Sequence, residues 1–190
     1  GLGDVYKRQI LVTLMERALR GEYSYLSGVI IPTTCDGLRN LEENWKFALP
    51  EMPVMSLAQP ANRTHPAAED YYLSELEDVK EKLEEISGNS ITDKALRTSI
   101  NAYNKQRAAM REFDLVAAAH PGVVTPWKRH VVYKAAQVLP VRVHTEMVIQ
   151  INQELSNLSD DTFKGLRLVT TGILLDSKPL LDELEKQSIA

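Results

Sequence analysis

The chain has 190 residues, 44% hydrophobic and 25% charged, with one cysteine and a formal net charge of −4. Such a balance fits a soluble globular protein of one domain, or pieces of two, and excludes global disorder, while one cysteine excludes an intrachain disulfide scaffold. No basic tract marks a nucleic-acid footprint, no apolar run approaches the ~20 residues of a membrane span, and no signal-peptide pattern opens the chain, so the expected setting is the cytoplasm, without nucleic-acid or membrane partners.

Residues 1–9, Gly1 to Gln9, show no clear period and read as a non-native leader or a frayed native terminus. Residues 10–58 read as a partial α/β domain. Leu11, Leu14, Met15, Ala18 and Leu19 recur at helical spacing, and Gly21 stops the run. The wholly apolar, β-branched run Gly28 to Pro32 suits a strand buried on both faces of a parallel sheet. A polar turn, Thr33 to Gly37, leads into a second helical face marked by Leu38, Leu41, Trp45 and Leu49, and Met52 to Leu57 reads as another strand. Strand, loop, helix and strand make a βαβ unit.

Residues 59–160 read as helical. Gln59 to His65 is a linker, and Pro66 opens a helix with an apolar face of Tyr72, Leu73, Leu76, Val79, Leu83 and Ile86. Its other face is crowded with Glu and Lys at pairing distance, including Glu75 and Glu81 to Glu85, and reads as solvated. Ser87-Gly88-Asn89 ends it, Thr92 caps a long helix to Ala119, and His120-Pro121-Gly122 breaks that helix. Thr125-Pro126 starts another, which Pro140 divides from a last one at Val143 to Leu155. Residues 161–190 then begin a second α/β unit, with a strand at Leu166 to Thr171, Gly172, a helix near Pro179 and a new strand at Ser188-Ile189-Ala190. The fold class is therefore α/β: two incomplete Rossmann- or flavodoxin-like parallel-sheet pieces flanking an all-helical middle. The chain reads as cut at its C-terminus, with the N-terminus open to the same reading.

Cys35 is the most informative position, because ligands of open α/β sheets bind just outside the carboxyl ends of strands. A thiol at a helix start also meets the positive end of the dipole, which favours its thiolate form. The alternative is an inert cysteine packed at a strand end. Nucleophilic catalysis would need a histidine base, yet His65, His120, His130 and His144 all lie in or beside the helical region at no telling spacing. His130 and His144 read as surface or helix-packing residues. No zinc-like spacing and no Gly-rich phosphate loop occurs, Thr171-Gly172-Ile173 being too short. Asn62-Arg63-Thr64 and Asn157-Leu158-Ser159 match a glycosylation sequon by chance, and Trp45 and Trp127 read as packing residues.

The stretch Gly28 to Asn40, with Cys35, Asp36 and Arg39, resembles the Cys-Asp-x-x-Arg segment of the 2-hydroxyacyl-CoA dehydratase and benzoyl-CoA reductase family. Leu19 to Tyr23 is similar to the link before that strand. Tyr71-Tyr72, Glu75-Leu76, Ser90 to Leu96 and Tyr103-Asn104 resemble the family's helical insert, and Leu168 to Gly172 with Asp176 resemble the start of its second α/β domain.

The resemblance implies an oxygen-sensitive iron–sulfur subunit paired with a related second subunit as a heterodimer. It implies a 4Fe-4S cluster held by three cysteines, an acyl-CoA thioester substrate and a separate ATP-dependent iron–sulfur activator protein that injects one electron. The thioester becomes a ketyl radical, from which an unactivated hydroxyl leaves; the reductase branch reduces an aromatic ring instead. Cys35 matches the middle cluster ligand of that pattern. The other two would fall at or before residues 1–9 and beyond Ala190, so the 190-residue chain by itself is expected to be inactive and not to hold the cluster. Asp36 and Arg39 match the motif and read either as helix-start charge with a packing salt bridge or, for Arg39, as a substrate contact; the catalytic residues are unassigned. Three functions remain open: a dehydratase subunit, an aryl-CoA reductase subunit, and a non-catalytic partner subunit without its own cluster.

Overall fold

A computed structural model describes residues 2–159, 161–170 and 176–190, with side chains from residue 9 onward. The chain divides into two compact units, Gly1–Ile91 and Thr92–Ala190. It is a helix-rich α/β protein whose two named strands form a parallel sheet.

The first unit carries helix α1 (Leu2–Leu19), strand β1 (Val29–Pro32), helix α2 (Asp36–Ala48), strand β2 (Val54–Leu57) and helix α3 (Ala68–Ser87). β1 and β2 pair in parallel from Val29 opposite Val54 to Pro32 opposite Leu57, with α2 as the crossover, which is the βαβ unit read from the sequence. Ala18, Ile31, Leu41 and Trp45 form the core between α1, α2 and the sheet, joined by Leu11, Leu14, Met15, Val29, Leu38 and Val54. Trp45 stacks on Tyr23 with ring centroids 6.2 Å apart. α3 packs on β2, and Met55 and Val79 are buried.

The backbone is helical from Leu2 through Leu19. One expectation is revised here. β1 is not buried on both faces: Ile31 is buried, but its neighbour Ile30 is 45% exposed. Side chains alternate along a strand, so Ile31 meets α2 while Ile30 points to the opposite face.

The second unit carries α4 (Asp93–Ala119), α5 (Pro126–Ala135), α6 (Val141–Ser156) and α7 (Lys178–Lys186). Thr92 caps α4 by accepting the Ala95 amide at 3.2 Å, and Thr125 caps α5 with Pro126 at its first position. α5 stops at Ala135 rather than running to Pro140, and residues 136–139 turn. Small residues Ala109 and Ala117 let α4 approach α6 closely, and with Phe113, Val124, Val148 and Leu155 they form this unit's core.

The strand read at Leu166 to Thr171 is, over its described residues, a single parallel bridge between Leu166 and Ile189. Leu168 N donates to Ala190 O at 2.8 Å and Ala190 N to Leu166 O at 2.9 Å. Ile189 and Ala190 thus pair with the Leu166–Leu168 stretch through one isolated bridge rather than a named strand. Asp160, Thr171, Gly172 and Ile173 lie outside the described residues. Gly165 sits where a Cβ would come 2.0 Å from the Ser188 carbonyl oxygen, so only glycine admits this approach.

Candidate functional site

β1 and β2 end at the same level. The ladder extends one step further, with Thr33 N donating to Leu57 O at 3.1 Å. Two residues on, Cys35 occupies the N-cap of α2 with extended backbone (φ −147°, ψ 161°). Its thiol makes no capping hydrogen bond and is exposed. The sequence expectation of a cysteine between a parallel strand's carboxyl end and a helix start holds in the structure. One turn into α2, Arg39 N donates to Cys35 O at 3.1 Å, which puts both side chains on one side of the helix. Arg39 is exposed, and neither Arg39 nor Asp36 forms an ion pair among the described residues, so the packing salt bridge is not found there. Asp36 lies in the first turn of α2, where a carboxylate complements the dipole.

The same edge holds residues that sequence reasoning read only as helix-face or family-pattern positions. Glu75 of α3 accepts the Ala58 amide at 2.8 Å, just past the end of β2. Tyr71 lies one turn before Glu75. Burial, with the Glu75 carboxylate beside it, pushes the Tyr71 phenol above its ordinary value, and the Arg39 guanidinium pulls the other way. Beneath the sheet, buried Glu42 accepts hydrogen bonds from Lys46 at 2.5 Å and from Ser56. Burial by itself would raise the Glu42 carboxyl, but these two donors outweigh it and hold the group below the usual range. Glu42 has a local partner in Lys46 four residues on, but the Glu42–Ser56 and Glu75–Ala58 bonds join separate segments that no local pattern relates.

The histidines do not gather at Cys35 within its unit. His65 is the one histidine there, and its Nδ1 accepts the Ala67 amide in its own turn. In the second unit His144 is buried between Gln106, 3.2 Å from Nδ1, and the Val132 carbonyl, 3.0 Å from Nε2. His130 is buried, stacks on Trp127 with centroids 5.4 Å apart, and has Nε2 3.1 Å from Asp176. Both are helix-packing residues. Among the described residues no group of three His, Cys, Asp or Glu is placed to hold a metal ion, and no helix is long and apolar enough to cross a membrane.

The family model for "2-hydroxyglutaryl-CoA dehydratase, D-component" matches residues 9–190, and the chain belongs to this family. Among relatives it is 39% identical to the (R)-phenyllactyl-CoA dehydratase beta subunit of Clostridium sporogenes, over 95% of this chain and 48% of that one. It is 38% identical to the lactoyl-CoA dehydratase subunit beta of Anaerotignum propionicum, over 95% of this chain and 48% of the relative. A benzoyl-CoA reductase subunit of Thauera aromatica is 29% identical, over 94% of this chain and 47% of its own length. The chain spans about half the length of these curated relatives.

Proposed function

We propose that the protein containing this chain is a subunit of a 2-hydroxyacyl-CoA dehydratase, a lyase that eliminates water from a 2-hydroxyacyl-CoA thioester by a radical route. The observation that carries this reading is the exposed Cys35 at the carboxyl end of a parallel strand, in a chain matched along nearly its whole length by dehydratase beta subunits. Cys35 is the metal ligand of the proposal and Arg39 the substrate contact. An exposed thiol fits one corner of a 4Fe-4S cluster, since such clusters take thiolate ligands. The chain has one cysteine, so these residues do not hold a cluster unaided. When bound, the cluster would supply one-electron chemistry to the thioester.

The reading carries further proposals. Both α/β pieces, residues 10–58 and 161–190, are parts of Rossmann- or flavodoxin-like sheets that flank a helical domain of residues 59–160 in sequence. The subunit works in the cytoplasm as a heterodimer with a related second subunit, and an ATP-dependent iron–sulfur activator delivers the electron. Similarity to the reductase subunit supports a second reading, reduction of an aryl-CoA on the same scaffold. A third reading is a partner subunit without its own cluster; cysteines at the two further ligand positions of the intact protein would decide against it.

The test is the full-length protein with its partner subunit, purified without oxygen. Brown iron–sulfur absorption is expected, and its loss from this subunit in Cys35→Ser. Full iron content in that variant would overturn the ligand assignment. The 190-residue chain by itself is expected to bind little or no iron and to be inactive.

A further inference from the structure

In the second unit a polar groove of about 370 Å³ lies between α4 and α6. Thr98, Asn101 and Lys105 line it from α4, at a spacing that puts them on one face of the helix. Arg142, Thr145 and Glu146 line it from α6. The two threonine hydroxyls are already used, Thr98 Oγ1 donating to Lys94 O at 2.8 Å and Thr145 Oγ1 to Val141 O at 2.6 Å. The other donors are free. Among the described residues neither Lys105 nor Arg142 forms an ion pair, and neither they nor the Asn101 amide group makes a side-chain hydrogen bond.

The charge around the groove is mostly positive. Residues 94–111 contain Lys94, Arg97, Lys105, Arg107 and Arg111 and no acid, in a chain whose formal net charge is −4. Like charges one turn apart, such as Arg107 and Arg111, weaken a helix rather than support it. Arg142 stands in the first turn of α6, which holds no acid and receives no side-chain cap from Pro140. The positive end of the dipole there adds to the guanidinium charge instead of offsetting it. Glu146 is the one acid that lines the groove. A guanidinium, an ammonium and an amide brought to one groove from two helices match the oxygens of a phosphate. Two cations suit an anion of at least two charges, and a groove of this size belongs to the small end of ligand sites. We propose that the α4–α6 groove binds a diphosphate group, with Arg142 and Lys105 gripping its oxygens, Asn101 donating a further hydrogen bond and Glu146 limiting the affinity. Coenzyme A, a nucleoside diphosphate and the free anion all carry that chemistry. The site stands on the second unit and does not depend on the role proposed for Cys35.

The test is calorimetric titration of the full-length protein with its partner subunit, using sodium diphosphate, ADP and coenzyme A without added metal. Diphosphate should bind, and more weakly as salt rises. Arg142→Gln and Lys105→Gln should each weaken it about tenfold, the loss of roughly one charge-assisted hydrogen bond. Glu146→Gln should tighten it about two- to fivefold by removing a repelling charge. Arg97→Gln and Arg111→Gln lie on α4 outside the groove lining and should change it by less than about twofold. All five positions are exposed, so these variants should fold, which circular dichroism checks. Coenzyme A affinity that falls with that of diphosphate in both groove variants makes the thioester the source of the group. A fall confined to ADP makes it a nucleotide, and a fall in neither leaves the free anion. Three outcomes overturn the site: no binding of diphosphate, an affinity unchanged in both Arg142→Gln and Lys105→Gln, or a loss just as large in Arg97→Gln and Arg111→Gln.

Discussion

Asn152 of α6 donates through Nδ2 to the backbone carbonyl of Ala109 on α4, 2.9 Å away and wholly within the core. With the Gln106–His144 contact it is a polar link in an interface whose core is Phe113, Ala117, Val148 and Leu155. Asn152→Ala removes this bond and opens a small cavity, and should lower stability by about 2 kcal/mol. Urea unfolding with a shifted midpoint and unchanged slope checks this; no shift would mean the bond contributes nothing net.

Glu42 gives the protein an acid-sensitive joint between α2 and β2. Its folded-state value lies below the ordinary one despite burial, because Lys46 and Ser56 bond the charged form. Its contribution is therefore complete above the ordinary carboxylate value and fades as pH falls through the lowered one. Glu42→Gln should cost about 1–2 kcal/mol near neutrality, and the gap from wild type should narrow below about pH 4. Urea midpoints across that range measure it, and a gap independent of pH would sink the assignment.

The alkaline counterpart is Tyr133. Burial, then its hydrogen bond to Asp114, raises the phenol to about 12. A raised value means stability fully present below the unfolded tyrosine's ~10 and lost as pH climbs through the folded value. Phenolate absorbance should show one of the seven tyrosines ionising near 12, and Tyr133→Phe should remove that step.

Gly165→Ala should loosen the pairing of Leu166 with Ile189, because the new Cβ would meet the Ser188 backbone at 2.0 Å. Backbone cannot yield as a side-chain tip can, so a loss of about 1–3 kcal/mol is expected. Amide exchange at Leu166, Leu168 and Ala190 reads this locally; unchanged protection there would refute it.

Elements with a local cause were legible in the sequence. Thr92 and Thr125 announce helix starts through their caps, and Gly88 announces an end by taking a left-handed φ of +66°. Cys35 and Arg39 could be placed together because they lie four residues apart on one helix. Glu75 and Ala58 lie seventeen apart on different elements, so no periodicity relates them, and Glu75 looked like one more charge on a solvated face. Ile30 misled for a related reason. Its run is apolar throughout, but how much of a strand is covered depends on neighbouring elements, which a single stretch of sequence does not encode.

Under the proposal that Cys35 is a cluster ligand, the hydrogen bond from Thr33 to Leu57 acquires a further role. It fixes the peptide just upstream of Cys35, while Asp36 is already inside α2. Thr34 and Cys35 are thus spanned between two rigid anchors. Freezing a residue's backbone costs about 1–2 kcal/mol, and for these two that cost falls on folding rather than on metal uptake. A metal bound as proposed would meet a thiol whose main chain is already held, so changes that fray the Thr33–Leu57 bond should then weaken uptake without touching the cysteine.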